Sequence, residues 1–292
     1  MARFTTPIFF LLLLMACTTE DPAVQNILDM ERTSSGDEGK LGDLMAAYVQ
    51  YANEHPEDSK WSPQFMLRGA KIAVDGNRFQ QAIPVLGKLL KNYPDSEGAK
   101  SGFLLLADIY GNKLSNPSLA KPIYTKLLSS DPENAAAKAF MAKNPQVEEL
   151  DVYLESLKNS FVDTVSGNIN RTAILDYQRG AWLRGLTLKD DKTVDWLLSG
   201  GETARMVKNN QNALDFFDWI LQDYSDSPKA SQALFLKAFT LDNELNQDEA
   251  ARPVYEEFLE KYPEDGFADD AKFLLNNLGK TDEEIIQSFQ EK

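Results

Sequence analysis

Pro56, Pro94 and Pro132 are evenly spaced, and each follows an apolar stretch with helical spacing. Ala82 and Ala120 repeat the interval, as do Ala213 and Ala251. In three places the alanine precedes the proline by twelve: Ala82/Pro94, Ala120/Pro132 and Ala251/Pro263. A longer period lies above this one. The shift that carries Ser35-Gly36 onto Ser166-Gly167 also carries Gly69 onto Gly200, Gln80 onto Gln211, Tyr93 onto Tyr224 and Pro132-Glu133 onto Pro263-Glu264. A gapless register this long predicts a tandem duplication built from units that bury their apolar faces only by stacking. The expected organisation is a leader at 1–16, a tether at 17–21, halves at 22–145 and 146–280, and a tail at 281–292.

Each unit reads as a pair of helices. From Gln64 to Ala73 apolar and small residues recur at helical spacing, and Asp75-Gly76-Asn77 breaks the pattern. Phe79 to Tyr93 is a second helix ended by Pro94, after which Asp95-Ser96 supplies cap-type side chains for the next. Pro84, Pro122 and Pro253 lie two residues beyond the second small position, which predicts a kink or a late start in these helices. No stretch sustains strand alternation, so the expected fold class is all-α.

The spacing resembles the tetratricopeptide repeat, a helix pair with one small residue in each helix and large apolar residues four and seven positions after the second. Ala70, Ala107, Gly201 and Ala238 fit the first small position; Ala82, Ala120, Ala213 and Ala251 fit the second. Leu86/Leu89, Tyr124/Leu127, Phe217/Ile220 and Tyr255/Phe258 fill the large ones. The chain departs from the family in its longer repeat interval and in one residue added between small positions in the second unit of each half (Ala107 to Ala120, Ala238 to Ala251). The stretch 172–187 is degenerate, with Thr187 standing where Pro56 does. The resemblance implies a tandemly duplicated helical-pair solenoid. In the family, the first helix of each pair lines the groove that holds a protein partner. Carried over residue by residue, that implies groove positions Gln64, Lys71, Ser101, Asp108, Glu202, Arg205, Gln232 and Phe239. The units with Tyr-Pro endings are also similar to those of outer-membrane assembly lipoproteins, Tol-system coordinators and a group of Bacteroidota lipoproteins.

The amino terminus adds an address. Ile8 to Met15 is an unbroken apolar run behind Arg3, far short of the roughly 20 residues a membrane-spanning helix needs. Leu14-Met15-Ala16-Cys17 resembles the bacterial lipobox, and Cys17 is the sole cysteine. The resemblance implies cleavage before Cys17, a diacylglycerol thioether on its sulfur and an acyl chain on its amine, with no other cofactor. Two or more acyl chains anchor stably where one binds only marginally. An ordinary secretory signal with an incidental cysteine is the alternative. Thr18-Thr19 carries no retention aspartate, so the resemblance favours the outer membrane, periplasmic face by default. The acidic Glu20-Asp21 leaves the cell surface open.

Signs of chemistry are few. A single histidine, His55, sits in the turn Glu54-His55-Pro56 and lacks the partners of a hydrolase triad or zinc site. Asp190-Asp191, Asp269-Asp270 and Asp282-Glu283-Glu284 match no calcium loop and fall near expected helix starts, where negative charge is favourable. Gly200-Gly201 precedes no Gly-Lys-Ser/Thr and follows no strand, so it is not a phosphate loop. Trp219 reads as core, and Trp61 as the tryptophan most open to solvent. A formal charge of −15 argues against nucleic acid. The expectation is a non-enzymatic, lipid-anchored scaffold or adaptor of the bacterial envelope with an unidentified protein partner and a membrane contact through Cys17. Alternatives are a fixed component of an outer-membrane biogenesis complex or a surface accessory for carbohydrate or nutrient capture.

Overall fold

The computed structural model describes residues 21–281 together with 283, 284, 286 and 287. Cys17 and its leader lie outside the described residues, as does Asp282. The first half of the described chain forms α1 (Pro22–Ser34), α2 (Glu38–Glu54), α3 (Trp61–Asp75), α4 (Phe79–Asn92), α5 (Glu97–Asp108), α6 (Pro117–Ser130) and α7 (Ala135–Lys143). The second forms α8 (Leu150–Asn159), α9 (Arg171–Thr187), α10 (Thr193–Met206), α11 (Asn210–Asp223), α12 (Ala230–Phe239), α13 (Asp248–Lys261) and α14 (Ala268–Asn277). The only β pairing among the described residues is an isolated antiparallel bridge between Val162 and Ile169. No described helix is long and apolar enough to cross a membrane.

The long register is written into the backbone. The shift that sets Gly69 on Gly200 also sets both ends of α4 on those of α11, and both ends of α6 on those of α13. Left-handed residues repeat at the same interval: Gly36 (φ 80°) with Gly167 (φ 70°), Asn77 (56°) with Lys208 (63°), and Ser115 (52°) with Asn246 (52°). The residue added between small positions is absorbed in one way in both halves. α5 and α12 each run on into a π-helical turn, Ile109–Lys113 and Thr240–Glu244. Leu114 and Leu245 close these turns by donating to Ile109 and Thr240 carbonyls at 2.8 and 3.1 Å.

The caps follow from local chemistry. Ser96 Oγ accepts from the Ala99 amide and Asn116 Oδ1 from that of Leu119, satisfying orphan donors at the starts of α5 and α6. α2, α4 and α6 end shortly before Pro56, Pro94 and Pro132. Of the two expectations for the internal prolines, a late start is not met. α4, α6 and α13 each begin five residues ahead of Pro84, Pro122 and Pro253, so the helices do not start late. Each proline sits early enough that a single carbonyl, that of Gln80, Ser118 or Glu249, loses its intrahelical donor.

Small residues set the packing distances. Ala70, Ala82, Ala107, Ala120, Ala213, Ala238 and Ala251 are fully buried, and the paired large residues fill the space beyond them. Gly201 lies against Phe217, whose ring would be 2.5 Å from an added Cβ, and Gly200 lies against Phe216, at 2.8 Å in the same sense. The glycine pair is therefore a close helix–helix contact. One apolar cluster runs without interruption from Ala52 through Leu119 and Ala181 to Ala233. Smaller clusters continue it around Tyr48 and Phe65 at one end and around Phe235 and Phe258 at the other.

The degenerate stretch of the sequence is the helix that makes this core continuous. α9 packs on α8 and α10, and also on α6 and α4 of the first half. It buries residues on every side, among them Ile174, Tyr177, Ala181, Leu183, Arg184 and Leu186. A helix covered all round carries no single apolar stripe, which is why its repeat pattern fades.

Candidate functional site

The eight groove positions lie on α3, α5, α10 and α12, the first helices of their pairs. In the second half they come together. Gln232 Nε2 on α12 donates to Glu202 Oε1 on α10 at 3.2 Å. The Arg205 guanidinium lies over the Phe239 ring at 4.9 Å. Arg205 is held from the other side as well, since its Nε and Nη2 both donate to Glu244 Oε1, at 3.1 and 2.8 Å. Glu244 ends the π-helical turn, and its second carboxylate oxygen is buried without a partner among the described residues. The added residue thus has a local consequence: the turn it creates brings Glu244 back onto Arg205.

In the first half the positions are separate. Gln64 and Lys71 are exposed on α3, where Gln64 Oε1 accepts from Arg68 Nη2 at 3.4 Å on its own helix. Ser101 is exposed on α5, and Asp108 accepts from Asn112 Nδ2 of the π-helical turn at 2.7 Å. Lys71 and Asp108 stand where the second half has Glu202 and Phe239, so the two copies present different chemistry from one backbone. The first offers separated charges, and the second a stacked, hydrogen-bonded patch.

The remaining candidates are structural among the described residues. His55 is half-buried and stacks on Tyr51 with ring centroids 4.4 Å apart. Asp58 organises the turn that follows: its carboxylate accepts from Tyr51 Oη at 2.7 Å and from the Lys60 and Trp61 amides at 2.8 and 2.9 Å. Burial alone would raise this carboxyl, but the three donors hold it below the usual carboxylate range. Asp269 and Asp270 occupy the first turn of α14 as expected. Trp219 is core, and Trp61 is half-buried on Phe65 beneath the Lys60 ammonium. No group of three or more His, Cys, Asp or Glu that could hold a metal occurs among the described residues.

Two features were missed by the sequence reading, both on α9. Arg184 is a buried cation tied to Asp151, Asp190 and Thr193. Gln178, Arg179 and Trp182 line a cavity against α4 and α11. Their only signal was the loss of repeat agreement. One long period earlier stand Asn53 for Arg184, and Ala47, Tyr48 and Tyr51 for the cavity residues.

No characterised protein matches this chain. The tetratricopeptide repeat model matches residues 64–96, covering α3 and α4, and residues 232–265, covering α12 and α13. The architecture is therefore a helical-pair solenoid in which two of the helix pairs match the tetratricopeptide repeat, a repeat typical of protein–protein interaction.

Proposed function

We propose that this chain is a non-catalytic protein-binding scaffold of the bacterial cell envelope, tethered to the outer membrane by lipid at Cys17. The observation that carries the binding part is the convergence of Glu202, Gln232, Arg205 and Phe239 from two stacked repeats onto one face. A charged, aromatic and amide-bearing patch of this kind suits the side chains and backbone of a protein segment, and Arg and aromatic residues are enriched at binding hot spots. The envelope address rests on the Leu14-Met15-Ala16-Cys17 motif.

The test is photo-crosslinking in cells. A benzophenone side chain placed at Gln64 or Gln232 is expected to capture the same protein, and one at Glu256, exposed on α13, to capture none. Equal labelling at all three positions, or no product at either groove position, would rule out the groove. Recovery of the crosslinked partner without crosslinking, even in high salt, would instead favour the fixed biogenesis complex.

A further inference from the structure

α4, α9 and α11 frame a cavity of about 360 Å³, at the small end of the range for ligand sites. Ile83 and Pro84 of α4, Leu175 and Trp182 of α9 and Phe216 of α11 give it apolar walls. Gln178 also lines it and is only 3% exposed. Its Oε1 accepts from Asn212 Nδ2 at 3.1 Å, while its Nε2 is buried with no partner among the described residues. The indole Nε1 of Trp182 is a second buried donor without an acceptor. It lies beside Gly87, where an added Cβ would stand 2.8 Å away.

An unsatisfied buried donor costs about 1–3 kcal/mol, and native proteins keep few of them. Both donors belong to residues that line the cavity, and both are N–H groups, so a ligand that reached them would have to accept. The charges agree. Lys88 and Arg179 line the cavity, and Asp215 is the single acid that does. Lys88 closes no salt bridge among the described residues, whereas Arg179 is paired to Asp176 at 2.8 Å. In a chain of formal charge −15, Lys88 thus gives the recess a cation held in no salt bridge among the described residues.

We infer that the cavity binds a small amphipathic carboxylate, its apolar group against Trp182 and Phe216 and its carboxylate accepting from Gln178 and Trp182 near Lys88. The carboxylate belongs either to a free acid or to the last, apolar residue of a peptide. This inference is independent of the groove and of the lipid anchor.

The experiment titrates 3-phenylpropionate, its amide, and the tripeptide N-acetyl-Ala-Ala-Phe into the purified chain, read by tryptophan fluorescence. A saturable response is expected to the free acid, the tripeptide or both, with 3-phenylpropionamide at least about tenfold weaker. A response to the tripeptide alone assigns the site to a peptide end. Gln178→Leu is expected to abolish the response. Because it also strands Asn212, Lys88→Gln serves as the second variant, keeping the unfolding midpoint and weakening binding by about tenfold. No saturable response to either acid overturns the inference, as expected if a water satisfies Gln178. So does an amide that binds as well as the acid, or binding unchanged by Lys88→Gln.

Discussion

Arg184 Nη2 donates to both carboxylate oxygens of Asp190, at 2.9 and 2.8 Å, although the arginine itself is only 2% exposed. The same guanidinium donates through Nε to Asp151 of α8 at 2.8 Å and through Nη1 to Thr193 Oγ1 of α10 at 3.0 Å. One side chain of the central helix thus ties the helix before it to the helix after it. The two acids keep 39% and 53% of their side-chain surface in solvent, so the cation alone bears the full desolvation.

That asymmetry predicts which end of the network is costlier to lose. Arg184→Met keeps the bulk and leaves two carboxylates that water can reach, for an expected loss of about 2 kcal/mol in charge-assisted hydrogen bonds. The double variant Asp151→Asn/Asp190→Asn strands a buried cation and is expected to cost about 3–5 kcal/mol. Urea unfolding of both variants decides the order. If the arginine variant is the less stable, desolvation of the cation does not dominate.

The network also predicts an acid-sensitive stability. The Arg184 hydrogen bonds hold the Asp190 carboxyl below the usual carboxylate range. A depressed folded-state pKa means the folded chain releases this proton more readily than the unfolded one. Its contribution is therefore present above the unfolded value of about 3.9 and fades as pH falls through the folded one. Unfolding midpoints at neutral pH and below pH about 4 should differ less in Asp190→Asn than in the parent chain. An unchanged difference would remove Asp190 from the acid response.

Close helix contact makes glycine position-specific. Gly201→Ala gains helix propensity worth about 1 kcal/mol but drives a methyl into the buried Phe217 ring, so a net loss of about 1–2 kcal/mol is expected. Gly42→Ala, in α2 with no atom within 4 Å of an added Cβ, should instead gain up to about 1 kcal/mol. Opposite shifts in thermal midpoint are the signature; two stabilised variants would mean that α10 and α11 separate easily.

The anchor is tested by Cys17→Ala. The proposed lipidation predicts either a chain released from membranes or one whose leader stays uncut, read by fractionation and mass. Membrane association and mass both identical to the parent, with no acyl group on either, would remove the lipobox from the account.

How much of this was legible beforehand depended on how far each residue's environment reached along the chain. Ala82 and Leu86, or Ala213 and Phe217, read as a helix face because a turn of helix separates them, and both pairs are fully buried. The cap at Ser96 and the stops before Pro56, Pro94 and Pro132 were equally local. The added residue between Ala107 and Ala120 was countable, but not that it would become a π-helical turn delivering, in the second copy, Glu244 to Arg205.

The sequence by itself determined the repeated helix pairs, the long register that matches Gly69 to Gly200, and the small residues at the helix contacts, because spacing within a helix is a property of the chain alone. Only the tertiary structure decided that α9 would lie between α6 and α10, with Arg184 sealed in and Gln178 facing α4 and α11. The burial of those side chains is set by helices distant in sequence, and no periodicity within residues 171–187 records which neighbours will close over them.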